Sequence, residues 1–177
     1  MTRLWTNRYN LLATIALTAT LMGGITPGVE AQSNPGLTIF SGVEQRDILN
    51  YHLDFGGRAG GWDRYRLRIP GKKLTQGVSK FFVVYPDYYK GEFDPKAIEV
   101  RVQNEPLPLE EVIWDKESRI VEIVLKQPLL ESRQVEIVFS NVKNPDDGGT
   151  YYFQGQILTA GQIPLRLSVG TWILSIN

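Results

Sequence analysis

Cysteine is absent from the 177 residues, histidine occurs once, at His52, and methionine only at Met1 and Met22. Without thiols there are no disulfide staples, thiolate zinc sites, iron–sulfur clusters, blue-copper centres or cysteine nucleophiles. An excess of charge of one sign is missing too. The 19 basic and 19 acidic side chains cancel, which argues against a general nucleic-acid binder. No stretch carries a convincing helical apolar stripe, and no internal repeat or low-complexity segment stands out. Glycine-flanked nucleophile motifs are lacking, and the glycines at 56–61 precede a strand-like segment rather than a phosphate-binding helix. Glu110 and Glu111 are adjacent, so on a strand they face opposite ways and cannot converge on a glycosidic bond. The reading is non-enzymatic and cofactor-free; a hydrolase would need a carboxylate site that no motif announces.

What is present begins with an address. Residues 1–10 hold Arg3 and Arg8 and no acid, residues 11–25 are mostly apolar, Thr26-Pro27-Gly28 breaks any helix, and Val29-Glu30-Ala31 offers a cleavage site. These are the three parts of a secretory signal peptide. The alternative, an uncleaved anchor, wants about 20 apolar residues, and three threonines and two glycines dilute this run. The expected division is a signal peptide at 1–31 and one domain at 32–177 with no integral membrane span. That mature chain loses both methionines and contains no sulfur, and its charge balance shifts one unit to the acidic side. Its length suffices for a core without disulfides.

From residue 37 the pattern is strand-like, with turn formers every eight to twelve residues. Expected strands lie at 37–40, 49–55, 65–69, 78–85, 97–102, 111–114, 119–125, 135–139, 151–153, 157–158, 165–169 and 172–176, with a single helical turn at 129–132. Residues 49–55 and 65–69 test each other as a hairpin. With Tyr51 opposite Leu67, Leu53 meets Tyr65 and Leu49 meets Ile69 on the apolar face. On the other face Asp54 meets Arg64, His52 meets Arg66 and Asn50 meets Arg68; a one-residue slip destroys both faces. The alternative puts the two strands in different sheets. The architecture predicted is an all-β, Ig-like antiparallel β-sandwich, with a small barrel or jelly roll as alternatives.

Candidate binding residues fall in two groups. Arg64, Arg66 and Arg68 form a basic stripe suited to an anionic partner; the alternative is a solvated face paired with Asp54, each exposed pair giving about 0–1 kcal/mol. Tyr85 directly precedes the loop-like PDYYKGEFDP, which holds Tyr88, Tyr89 and Phe93; Tyr88 and Tyr89 suit protein contacts or stacking on sugars, and two of the four could instead pack beneath the loop. Trp62, between Gly61 and Asp63, carries the same two readings. The run 144–149 (NPDDGG) has oxygen ligands for calcium but lacks EF-hand spacing, and turn chemistry explains it fully. His52 reads as a half-exposed strand residue or a pH-sensitive contact.

The segment 144–155, NPDDGGTYYFQG, resembles the hallmark of an exported cyanobacterial family catalogued as a domain of unknown function. Ala160-Gly161 and Gly170-Thr171-Trp172 fit the later parts of that pattern, and YRLRIP at 65–70 fits its other recognisable stretch. The resemblance covers about residues 51–177. It implies a periplasmic, outer-envelope or thylakoid-lumen location, and it transfers no catalytic residue. The expected role is a sandwich that binds or supports an envelope or thylakoid-associated partner, with a carbohydrate- or cell-wall-binding module as the alternative.

Overall fold

Short runs of alternating apolar and polar residues, each ended by glycine, proline or a polar turn, favour strands that bury one face. The computed structural model describes residues 42–177. They form β1 (Ile48–Leu49), β2 (Tyr51–Leu53), β3 (Trp62–Ile69), β4 (Val78–Val84), β5 (Ile98–Val102), β6 (Glu105–Pro106), β7 (Leu109–Asp115), β8 (Ile120–Leu129), β9 (Val135–Lys143), β10 (Gly149–Leu158) and β11 (Arg166–Ile176). Three single 3-10 turns, Gln45–Asp47, Gly71–Lys73 and Pro95–Ala97, sit between them. One sheet has the order β1-β11-β10-β4-β8-β7, the other β2-β3-β9-β5-β6. This is the all-β, Ig-like sandwich read from the sequence. The signal peptide expected at 1–31 and the strand expected at 37–40 both lie outside the described residues.

The core lies between the sheets. Tyr65, Leu67 and Ile69 of β3, Ile137 and Phe139 of β9, and Val100 of β5 face Phe81, Val83, Ile123, Phe153, Trp172 and Leu174 from the other sheet, each at most 1% exposed. Trp172 spans the gap: its indole N–H donates to Arg68 O at 3.2 Å. A Cβ on Gly155 would lie 2.8 Å from the Trp172 ring, so the bare backbone lets the two strands close over the indole.

The hairpin register is the expected one, with Tyr51 opposite Leu67, His52 opposite Arg66 and Leu53 opposite Tyr65. Its outer ends differ. The segment expected as one strand over 49–55 divides at Asn50, and Leu49 pairs with Trp172 in the other sheet instead of meeting Ile69. Phe55, expected on the apolar face, is 59% exposed, because Gly56 and Gly57, at φ +82° and +64°, turn the chain away after Leu53. The expected pairs 151–153 with 157–158, and 165–169 with 172–176, are each one strand, β10 and β11; a bulge at Gly155/Gln156 interrupts the alternation. No helical turn forms at 129–132, where Leu129 ends β8 opposite Val78.

The loops gather at two ends. Residues 54–61, 85–94, 115–119 and 144–148 lie at one, and 70–77, 103–104, 130–134 and 159–165 at the other.

Candidate functional site

The first loop cluster is tied together by the asparagine that opens NPDDGG. Asn144 is 1% exposed. Its Nδ2 donates to Arg58 O at 2.8 Å, and its Oδ1 accepts from the Tyr65 hydroxyl at 2.5 Å. Its backbone N–H donates to Gly61 O, and Gly60 N–H donates to Pro145 O. A side chain with one donor and one acceptor thus satisfies two buried groups on different elements. Asp63, also 1% exposed, works the same way on the adjoining turn. Its carboxylate accepts from the backbone N–H groups of Phe55, Gly57 and Arg64 at 2.7–2.9 Å. Asp63 was not among the sequence candidates, and Asn144 entered only as part of the 144–149 run, read as a turn or a calcium loop. The signal available was an Asx residue at each end of a glycine-rich turn.

On this frame Trp62 is 63% exposed and Tyr88 50% exposed. The Lys143 ammonium donates to Gly60 O and lies 5.8 Å from the centre of the Trp62 ring. Tyr88 stacks on Tyr151, with ring centres 5.5 Å apart and planes at 26°. Phe55 adds a third exposed ring at this end. Tyr89 does not share the exposure of its neighbour. It is 3% exposed, stacked on Phe93 at 5.4 Å and edge-on to Phe153 at 4.9 Å, with its hydroxyl 3.2 Å from that of Tyr65. Tyr85 and Phe93 are buried as well, and the Tyr85 hydroxyl accepts from the Trp114 indole at 2.8 Å. Three of the four aromatics, Tyr85, Tyr89 and Phe93, are therefore core, and Tyr88 alone of them faces solvent. Burial pushes the Tyr65 and Tyr89 hydroxyls far above the ordinary tyrosine range. Both stay neutral hydrogen-bonding groups.

A cleft of about 460 Å³ opens beside Tyr88, lined also by Lys90, Glu92, Lys143, Asp146 and Asp147. Gly91 lets the loop wall close. A Cβ there would meet the Tyr89 hydroxyl at 2.4 Å and Lys143 O at 2.6 Å. A second cleft of about 350 Å³, on the Tyr85 and Trp114 side, adds Lys116 and Arg119.

The arginine stripe lies on the outer face of β3, and carboxylates occupy it. Arg66 grips Asp54 through two bonds of 2.7 and 2.9 Å and reaches Glu136 at 3.1 Å. Arg68 takes the other oxygen of Glu136 at 2.9 Å. Arg64 stands 3.6 Å from Asp54 and donates to Ser140 Oγ at 3.1 Å. The hydrogen bonds from Arg66, against some desolvation, hold the Asp54 carboxyl below the usual aspartate range. Three guanidiniums thus share two carboxylates, and the stripe does not converge with Trp62 and Tyr88 on the loop cluster. His52 is an exposed residue on this face, 3.7 Å from Asp54. Among the described residues no cluster of three acid or histidine side chains is arranged to hold a metal ion.

Fold and site together define an Ig-like β-sandwich whose loops build a rigid, aromatic-bearing end. The chain belongs to the family described as Protein of unknown function (DUF2808), whose model matches residues 37–176. No curated protein matches it. Among solved structures it is similar to an immunoglobulin-like protein from Nocardia farcinica, at 14% identity and a TM-score of 0.48, over 73% of this chain and 97% of that one. It is also similar to BslA, a bacterial hydrophobin, at 15% identity and a TM-score of 0.45, over 73% and 92% of the two chains. The collagen-binding domain of a Staphylococcus aureus adhesin matches at 8% identity and a TM-score of 0.41, over 73% and 96%.

Proposed function

We propose that the protein is an exported, non-enzymatic sandwich that binds or supports an envelope or thylakoid-associated protein through its aromatic loop end. The observation that carries this reading is the pair Trp62 and Tyr88. Both rings are at least half exposed, yet Trp62 opens β3 beside the turn that Asn144 and Asp63 hold, and Tyr88 stands on the 85–94 loop, whose Glu92 exchanges two backbone hydrogen bonds with Lys143. Rings held out on a rigid frame lose little freedom on binding, the property of a contact surface. Tyr89, buried, is not open to a partner, and the ring that backs Tyr88 is Tyr151. Arg64, Arg66 and Arg68 contribute a paired, nearly neutral face beside this surface. Glu92, Asp146 and Asp147 are exposed, whereas acid catalysis by a carboxyl group calls for one that is desolvated. This supports the non-enzymatic reading. The signal peptide read at 1–31 supports export.

The test is co-purification of a tagged chain from gently solubilised membranes, in parallel with Trp62→Ala plus Tyr88→Ala. A partner retained by the parent and lost by the variant supports the proposal. Recovery of the parent as a lone monomer at every salt concentration overturns it. A second reading, a cell-wall carbohydrate module, is favoured by one feature: Tyr88 stands over a cleft that holds Asp146 and Asp147, and ring stacking beside carboxylate acceptors is chemistry that suits sugars. Retention on isolated cell wall that vanishes in the same variant would select it.

A further inference from the structure

The two sheets turn unlike outer faces to solvent. On the sheet β2-β3-β9-β5-β6 that face is charged: Glu136 of β9, with Glu99 and Arg101 of β5, joins the three arginines of β3. The outer face of the six-stranded sheet is different. One cross-strand row of outward side chains runs Arg166, Leu158, Lys80, Val124, Glu111 from β11 across β10, β4 and β8 to β7. The two rows beside it put Phe82 and Val84 on β4, Ile120 on β8 and Ile113 on β7. Ile113 is 39% exposed, and Val84, Ile120, Val124 and Leu158 are part-exposed. An antiparallel sheet that needs one apolar face thus carries apolar side chains on both.

The charges on this face choose the occupant. Lys80 is matched by Glu122 at 2.9 Å, and Asp115 is held by the backbone N–H groups of Glu117 and Ser118 at 3.0 Å. Arg166 and Glu111, at opposite ends of the row, are exposed and make no ion pair among the described residues. Arg166 instead lies over the Phe82 ring, 4.0 Å from its centre, and donates to Gln156 Oε1 at 2.6 Å. Just beyond the row stand exposed Lys126 and Glu110, one charge of each sign. β4 is the middle strand, with β11 and β7 two strands to either side of it. A twofold axis running along β4, between two such faces, therefore lays Arg166 of one copy over Glu111 of the other, twice by symmetry. The same operation sets Leu158 over Val124 and Gln156 over Glu122, and brings Phe82 and Val84 against their own copies. The two Lys80 side chains meet across the axis, each beside a Glu122 carboxylate that neutralises it. Opposite charges and apolar groups coincide in a single placement, so the face is complementary to itself.

We propose that the outer face of the six-stranded sheet docks a second copy of this chain, Arg166 of each copy pairing with Glu111 of the other. The two sheets pack about 10 Å apart, as sheets do inside a sandwich. Because the axis follows the strands, both aromatic ends point the same way, and the dimer offers two contact surfaces to one partner.

The absence of cysteine makes the test direct. Full chains carrying Glu111→Cys are mixed with full chains carrying Arg166→Cys and treated with a bismaleimide that spans the gap between packed sheets, about 10 Å. Two residues at position 111, or two at 166, lie at opposite edges of the dimer, at least four strand spacings or about 19 Å apart. The mixture therefore cross-links at least about tenfold faster than either chain alone, a preference that association through residues 11–25 cannot produce. In sedimentation, Arg166→Glu weakens the dimer at least about tenfold, because like charges then meet at both ends of the row. Arg166→Glu with Glu111→Arg in the same chain restores it, and Trp62→Ala with Tyr88→Ala leaves it intact. Three results overturn the proposal: equal cross-linking of the mixture and the single chains, a parent that stays monomeric at every concentration, or a label on Ile113→Cys already shielded in the monomer, which would mean that another segment of the chain covers the face.

Discussion

Replacing Asn144 by aspartate exchanges a single side-chain group and reverses its role. The Nδ2 atom that donates to Arg58 O at 2.8 Å becomes an acceptor facing an acceptor, in a site that is 1% exposed. The Arg58 carbonyl loses its donor, at about 1–3 kcal/mol for a buried unsatisfied group. A carboxylate without a cation bonded to it is left in the interior, at about 3–5 kcal/mol in comparable cases. The stronger donation from the Tyr65 hydroxyl returns about 1 kcal/mol. The net loss at neutral pH is about 3–7 kcal/mol, which at a urea slope of about 1–3 kcal/mol/M lowers the urea midpoint by at least about 1 M. The pH dependence separates this mechanism from a packing defect. The protonated carboxyl can donate to Arg58 O as the amide did, so the folded state raises the proton affinity of residue 144. A group with a raised folded-state pKa contributes stability at low pH and loses it as pH rises through that pKa. The gap between variant and parent therefore narrows as pH falls from about 7 to about 5. Asn144→Ala, with nothing to titrate, shows a gap of about 2 kcal/mol that does not change. Urea unfolding of all three chains at several pH values decides the matter. A constant gap for Asn144→Asp, or none at pH 7, refutes the account of the loop anchor.

Arg66→Met removes both bonds to Asp54 and costs about 1–2 kcal/mol at neutral pH. Asp54 has a depressed pKa in the fold, so its contribution exists above the unfolded value and is lost as pH falls through the folded one. Thermal unfolding at pH 7 and below the aspartate range should show the penalty only at the higher pH. Tyr89→Ala opens a cavity in the aromatic core and costs about 3–5 kcal/mol, whereas Tyr88→Ala loses one exposed stack worth about 0.5–1.5 kcal/mol; urea unfolding compares the neighbours. Gly91→Ala forces its Cβ against the Tyr89 hydroxyl and Lys143 O and costs about 1–3 kcal/mol. A melting temperature equal to the parent's would show that the loop gives way.

Alternation was legible where a strand buries one face along its whole length. β3 shows it, with arginines at 64, 66 and 68 outward and Tyr65, Leu67 and Ile69 inward. Its register against β2 followed, because only one pairing satisfied both faces. The pattern failed where the chain changes sheets at Asn50 and where a bulge resets the phase at Gly155. In both places a local break in alternation looks the same whether the strand ends or continues. Exposure in the site was equally hidden. Tyr88 and Tyr89 are adjacent and chemically identical, and only the approach of Phe93, Phe153 and Tyr151 decides which ring is core.

The sequence by itself determined the missing chemistry and the sandwich of short strands, because composition and a period of two are local properties of the chain. It also marked the NPDDGG turn and the apolar leader. Tertiary structure decided what those marks mean. Asp63, Asn144 and Trp172 reach groups six, 86 and as many as 104 residues away in the chain. An aromatic end and an apolar outer face exist only once the strands have brought distant loops to the same pole and distant side chains to the same row.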